Sequence, residues 1–153
     1  MNVLLIVSAP TSPIDSNQGE LREAEVIHEA VRELAAGINA SDGTLIVADH
    51  PNIVAITSRL LPPSRLRIIQ RGAEPVLAGV SVAVLIGGGE EEIALAKRVR
   101  NARIRVIPVA STGLAPVNFL VEMETNDEID AADAIVLLTD TDYPALFKRL
   151  LSS

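Results

Sequence analysis

Gly87-Gly88-Gly89 separates an apolar run, Val80–Ile86, from three successive glutamates, Glu90–Glu92. A second apolar run, Ile104–Val109, ends in Ala110-Ser111-Thr112-Gly113. Glycine in such a turn lets backbone N–H groups approach a ligand, because no Cβ intervenes. The Ser111 and Thr112 hydroxyls add donors and acceptors. Both turns follow runs of strand length, so both belong at the carboxyl edge of a parallel sheet, where open α/β sheets bind ligands. His50 follows a third such run, Thr44–Ala48, and belongs at the same edge. A Cβ at Gly88 is expected to block a ligand without touching the core.

The glutamates have two readings. Carboxylates in a first helical turn stabilise the helix by about 0.3–1 kcal/mol each through its positive end, and that alone accounts for them. The chemical reading makes Glu91 or Glu92 catalytic, through a hydrogen bond to a ribose hydroxyl or by stabilising an oxocarbenium-like centre at an N-glycosidic carbon. Adjacent helical residues point about 100° apart, so at most one of the two faces a cleft. His50 reads equally as a residue packed at a helix start, and His28 as a partly buried residue on a helical stripe. Two histidines and no cysteine give no metal-ligand cluster. There is no nucleophile elbow, no phosphate-loop lysine and no G-x-G-x-x-G fingerprint. No cofactor is implied.

These residues need a scaffold, and the hydrophobic pattern supplies one. Strands are expected at Asn2–Val7, Thr44–Ala48, Arg67–Gln70, Ser81–Ile86 and Ile104–Val109. Ser8–Gln18 reads as a loop, and Asn17 with Glu20 has capping-box spacing, so a helix starts near Gln18 or Gly19. Leu21, Ala24, Ile27, His28, Val31, Leu34 and Ile38 mark its apolar face. Pro51 suits the first turn of a second helix carrying Ile53, Val54, Ile56 and Leu60. Glu90–Asn101 is helical, with Ile93, Ala96, Val99 and Ala102 inward. Ala115–Glu124 reads as helix or loop, and Ile129–Leu138 as a sixth strand or a helix. Asp142–Leu151 is a terminal helix docked by Tyr143, Leu146, Phe147, Leu150 and Leu151. Alternating strands and helices without hairpin turns predict a three-layer α/β sandwich over residues 1–153, with a mainly parallel sheet in the order 3-2-1-4-5.

Composition agrees. The chain has 153 residues, 48% of them hydrophobic, with two Phe, one Tyr and no Trp. Its core is therefore aliphatic, as in strands covered on both faces. The opening MNVLLIVSAP lacks a basic n-region and reads as a buried strand, not a signal peptide. No apolar run reaches the roughly 18–20 residues of a membrane span, so a cytoplasmic protein without membrane contact is expected. A net charge of −7 argues against general nucleic-acid binding. Two basic stretches stand out: Arg59, Arg65, Arg67 and Arg71, then Lys97, Arg98, Arg100, Arg103 and Arg105. They are either solvated element ends or a local anion-attracting face.

In order, Ser8-Ala9-Pro10, Asp49-His50-Pro51, Ile86-Gly87-Gly88-Gly89 with following Glu, and Pro108-Val109-Ala110-Ser111-Thr112-Gly113 resemble the SLOG superfamily. That Rossmann-like group contains the "lonely guy" phosphoribohydrolases and nucleotide-sensing domains of bacterial defence systems. The sensor type is the most similar, and the closing run Asp142–Leu151 resembles its last helix. The chain departs from it at Ala48-Asp49, where the family has two glycines, and in a shortened glycine turn. Of the hydrolases' Pro-Gly-Gly-x-Gly-Thr-x-x-Glu turn, the second half is absent. The resemblance implies a ligand site built from Ser8, Ala9, His50, Pro51, Gly87, Gly88, Gly89, Ser111, Thr112 and Gly113. It implies a nucleotide-derived small molecule as ligand, a homo-oligomer, and signalling by self-assembly or through a separate effector protein. The alternatives are an N-glycosidic-bond hydrolase and a degenerate assembly subunit. The helix over Ile53–Leu61 and the closing helix carry more Ile and Leu than one buried face requires, which also suggests an oligomer.

Overall fold

Five Val-, Ile- and Leu-rich segments, too short to make stable helices, form the strands β1 (Asn2–Val7), β2 (Thr44–Ala48), β3 (Leu66–Ile69), β4 (Val82–Ile86) and β5 (Arg105–Val109). The computed structural model describes residues 1–7, 18–70, 75–126, 128–129, 131–139 and 142–151; for 18–24, 114–115, 131–133, 138 and 149–151 it describes the backbone. All four strand pairs are parallel, and the sheet order is β3-β2-β1-β4-β5, as expected. The register sets Val7 beside Ile86 and Ile86 beside Val109, so three strands finish level with one another.

Six helices complete the described chain: α1 (Gln18–Ala40), α2 (Pro51–Leu60), α3 (Glu90–Asn101), α4 (Leu114–Thr125), α5 (Ala131–Thr139) and α6 (Tyr143–Leu151). Strand alternation divides the core between two faces. On one, Val3, Leu5, Val7, Leu45, Val47, Val84 and Ile86 meet α1, α2, α5 and α6. On the other, Leu4, Ile6, Ile46, Ala83 and Leu85 meet Ala96 and Val99 of α3. Helix α4 contributes to both, Phe119 to the second and Leu120 to the first. The result is a three-layer, Rossmann-like sandwich. Between β3 and β4, Leu77 and Val80 cover part of the second face.

The segment open to two readings is helical. Ala134 and Leu137 are buried while Ile135 is 60% exposed. A strand would have put 135 and 137 on the same face, whereas a spacing of three is one face of a helix. The uncertain stretch after Gly113 is helix α4. Ala102 is exposed, not inward, because α3 stops at Asn101 and Ala102 is its C-cap. The apolar surplus of α2 is absorbed internally: Ile53 is buried, and Val54, Ile56 and Leu60 pack on the same core.

Two helices end without glycine in the left-handed position. Asp42 has φ 58° after α1, and Arg103 has φ 64° after α3. Gly43 N–H donates to Ile38 O at 3.1 Å and Ile104 N–H to Val99 O at 3.3 Å, which closes both ends with the six-to-one bond of a Schellman turn. Arg65 reinforces the first: its guanidinium donates to Gly43 O, Asn39 Oδ1, Ile38 O and Asn39 O at 2.7–3.1 Å.

Candidate functional site

Because every strand runs the same way, the residues after β2, β4 and β5 emerge at one edge. The chain from β1 enters α1 on one face, and the chain from β4 enters α3 on the other. The topological switch point, where such sheets hold their ligands, is thus the gap between the ends of β1 and β4. Ser8 and Ala9, assigned to the β1 side of that gap, lie outside the described residues, as do the expected Asn17 cap and Arg71. Gly87, Gly88 and Gly89 form its β4 side.

The glycine turn has internal reasons for its composition. Gly87 and Gly88 adopt φ 58° and 96°, left-handed values that side chains rarely accept. A Cβ on Gly87 would stand 2.7 Å from Ile27 Cδ1, so the glycine lets α1 close against β4. A Cβ on Gly88 would stand 2.7 Å from Glu92 Cγ and 2.8 Å from its Cβ. The nearest atoms to such a Cβ all belong to Glu92, outside the core, so a side chain at Gly88 would displace Glu92. That carboxylate folds back to accept the Gly89 N–H at 2.9 Å, capping its own helix. Of the two candidate catalytic acids, Glu92 is committed to this cap, and Glu91 is exposed on the first turn.

The β5 turn is tied to the glycine turn. Gly87 N–H lies one residue past the last ladder pair, Ile86 with Val109. It donates instead to Thr112 Oγ1 at 2.9 Å, and that hydroxyl donates to Val109 O at 2.6 Å. Thr112 is 2% exposed, and its hydroxyl serves as a strap between β4 and β5. Ser111, beside it, is half-buried, and its Oγ lies 3.1 Å from the Tyr143 hydroxyl. Tyr143 opens α6 and stacks on Phe147 with ring centroids 6.2 Å apart. The sequence pattern assigned Tyr143 to docking and did not reveal its contact with Ser111. The available signal was the placement of the chain's one tyrosine at the first position of a closing helix.

His50 is half-buried at the N-cap of α2, with Pro51 at the first helical position, and its side chain makes no cap hydrogen bond. No acid occupies the first turn of α2. Gly113 caps α4 in the same manner, without a side-chain bond and without a first-turn acid. Helix α3 differs, with Glu90, Glu91 and Glu92 all in its first turn. A helix N-terminus carries roughly half a positive charge. At this edge the first turns of α2 and α4 carry no carboxylate, although Asp49 directly precedes the N-cap of α2, while α3 offsets its own. His28, on α1, is half-buried, and its Nε2 is shielded from solvent without a hydrogen-bond partner among the described residues.

The basic stretches serve the fold in part. Lys97 pairs with Glu122 at 3.2 Å; Arg100 reaches Glu122 at 3.6 Å and Glu128 at 3.5 Å and lies over the Phe119 ring at 5.4 Å. With Arg65 closing α1, three of these cations bind other parts of the chain. Arg98, the nearest arginine after the glycine turn, is exposed. Among the described residues no group of three or more His, Asp or Glu is placed to hold a metal ion. None of the described helices is long and apolar enough to cross a membrane. Neither the comparison with protein-family models nor that with curated proteins finds a match.

Proposed function

We propose that this chain is a binding domain of the SLOG type for a nucleotide or nucleotide-derived signal. The ligand sits at the carboxyl edge, over the gap between β1 and β4. The observation that carries the reading is the union of an all-parallel β3-β2-β1-β4-β5 sheet with a left-handed glycine turn at its switch point. Doubly wound sheets use that place for phosphorylated ligands. The N-terminus of α4, with no acid in its first turn, favours an anionic group nearer to β5 than to α3, whose three glutamates would repel it. Ser111, on the β5 side, offers a half-buried hydroxyl toward which a ribose can be turned.

Binding is favoured over N-glycosidic cleavage because Glu92 already serves its own helix cap. Hydrolysis needs a carboxylate held against the anomeric carbon, and Glu91 stands exposed on its helix, with no described element fixing it there. The protein acts in the cytoplasm, and its output passes through self-association or a separate effector. Isothermal calorimetry and thermal shift with AMP, ADP-ribose and cyclic nucleotides, with product analysis of the same mixtures, tests the reading. A stabilising shift without turnover is the expected result. Release of free base that Glu91→Gln abolishes would replace the binding reading by the hydrolase. No binding by any member of the panel would leave the assembly subunit.

A further inference from the structure

The two outer strands of the sheet, β3 and β5, end it in different ways. On β5, Val106, Ile107, Pro108 and Val109 are buried, and Pro108 has no N–H to offer a further strand. On β3, Arg67 is exposed and Ile68 is 46% exposed. Exposed strand edges invite pairing, and proteins usually cover or charge them. β3 carries a charge and no cover over these two residues.

One backbone hydrogen bond shows which groups of β3 are unused. Asp49 N–H donates to Ile69 O at 2.8 Å, so the Ile69 carbonyl faces β2. Successive residues of a strand turn their N–H and C=O to opposite sides. The backbone of Arg67 therefore also faces β2, and the Ile68 N–H and C=O point out of the sheet. Among the described residues nothing bonds to either. Side chains alternate as well. The register sets Ile68 beside Val47, on the face of α1 and α2, and Arg67 beside Ile46, on the other face.

We infer that β3 is a docking edge for an extended acidic segment of a different protein, which lengthens the sheet by one strand. Main-chain bonds to Ile68 hold the segment, and its alternate side chains select it. Apolar residues belong on the face of Ile68, acids on the face of Arg67. Charge supports this occupant. Residues 51–70 contain Arg59, Arg65 and Arg67 and no acid, in a chain of net charge −7. Arg65 is engaged at the end of α1, whereas Arg67 makes no ion pair with a described residue. Pairing β3 with itself would crowd two Arg67 side chains onto one face, which disfavours a second copy. A nucleic acid brings the charge but not the N–H and C=O groups that extend a ladder. The edge shares no residue with the proposed ligand site. Peptide binding without nucleotide binding would sink the proposed function alone, and the reverse would sink this inference alone.

Fluorescence anisotropy of a fluorescein-labelled peptide alternating valine and glutamate, titrated with the full chain up to millimolar concentration, tests it. Saturable binding is expected. A peptide with lysine for glutamate, and one with the same valines and glutamates in two blocks, should each bind at least about tenfold more weakly, or 1.4 kcal/mol. Ile68→Pro should abolish binding, because proline removes the outward N–H and leaves the ladder to β2 intact. Arg67→Glu should reverse the preference between the glutamate and lysine peptides. Far-UV circular dichroism verifies that each variant is folded. If Ile68→Pro is not, the alternating peptide N-methylated throughout stands in for it and should not bind. Absence of saturable binding by the glutamate peptide would overturn the inference. So would equal binding of the block or N-methylated peptide, or a folded Ile68→Pro variant that binds like the wild type. An oligothymidylate that displaced the peptide as well as unlabelled peptide does would make the edge a general anion surface and overturn it too.

Discussion

Thr112→Val separates a structural strap from a ligand contact. The substitution keeps the size and branching of the side chain and removes the hydroxyl. In the wild type that oxygen accepts the Gly87 N–H at 2.9 Å and donates to Val109 O at 2.6 Å, in a residue 2% exposed. Deleting it strands the buried Gly87 donor beyond the end of the ladder, where no strand carbonyl replaces it. An unsatisfied buried donor costs about 1–3 kcal/mol, and the lost bond to Val109 adds about 1 kcal/mol. The expected destabilisation is about 2–4 kcal/mol without any ligand. Thr112→Ser retains both bonds, loses one methyl, and should cost about 1 kcal/mol. Urea titration followed by far-UV circular dichroism reads the difference as a lower midpoint at unchanged slope. With a slope of about 2 kcal/mol per molar, the Val variant shifts by about 1–2 M. If Val and Ser variants unfold at the same urea concentration, the strap is not what the hydroxyl does, and Thr112 returns to the ligand.

Gly87→Ala should cost about 2–4 kcal/mol, from the left-handed φ of 58° and the 2.7 Å approach to Ile27; in a double-mutant cycle, Ile27→Ala should recover the steric part. Arg65→Met should lower stability by about 2–4 kcal/mol, since four acceptors around the end of α1 lose a charged donor. Its 3.8 Å pair with Asp42, whose side chain is exposed, contributes little, so Asp42→Asn should leave the urea midpoint near that of the wild type. Arg103→Gly should raise the thermal midpoint by a few degrees, because glycine relieves about 1 kcal/mol of left-handed strain at φ 64°; a lower midpoint would contradict the assignment of that turn.

The strands were legible because each is a short aliphatic run between turn residues, and the sheet order followed from the alternation of elements. Helix α3 was legible at both ends: glycine and three acids open it, bases close it. Residues 129–138 were not, because an Ala-rich half and an aliphatic half fit both periods until the neighbouring helices selected one. At the site the place was legible and the reasons were not. Gly87 is required by Ile27, far upstream in α1, and no local pattern links the two. The Glu92 cap was missed because glycine at the N-cap hides the usual Ser/Thr signal, although Glu at the third helical position remained visible. Thr112 looked like a ligand hydroxyl because the sequence does not show that its oxygen turns inward.

The contact between Ser111 and Tyr143 makes the protein its own optical reporter. The chain has a single tyrosine and no tryptophan, so its near-ultraviolet emission comes from one ring, whose hydroxyl lies 3.1 Å from a candidate ligand residue. A ligand that claims the Ser111 hydroxyl withdraws the tyrosine's partner and alters its quantum yield. A ligand that binds elsewhere on the edge leaves the emission unchanged. Occupancy at β5 can thus be followed in unlabelled protein, and a dye conjugated to the surface is unnecessary.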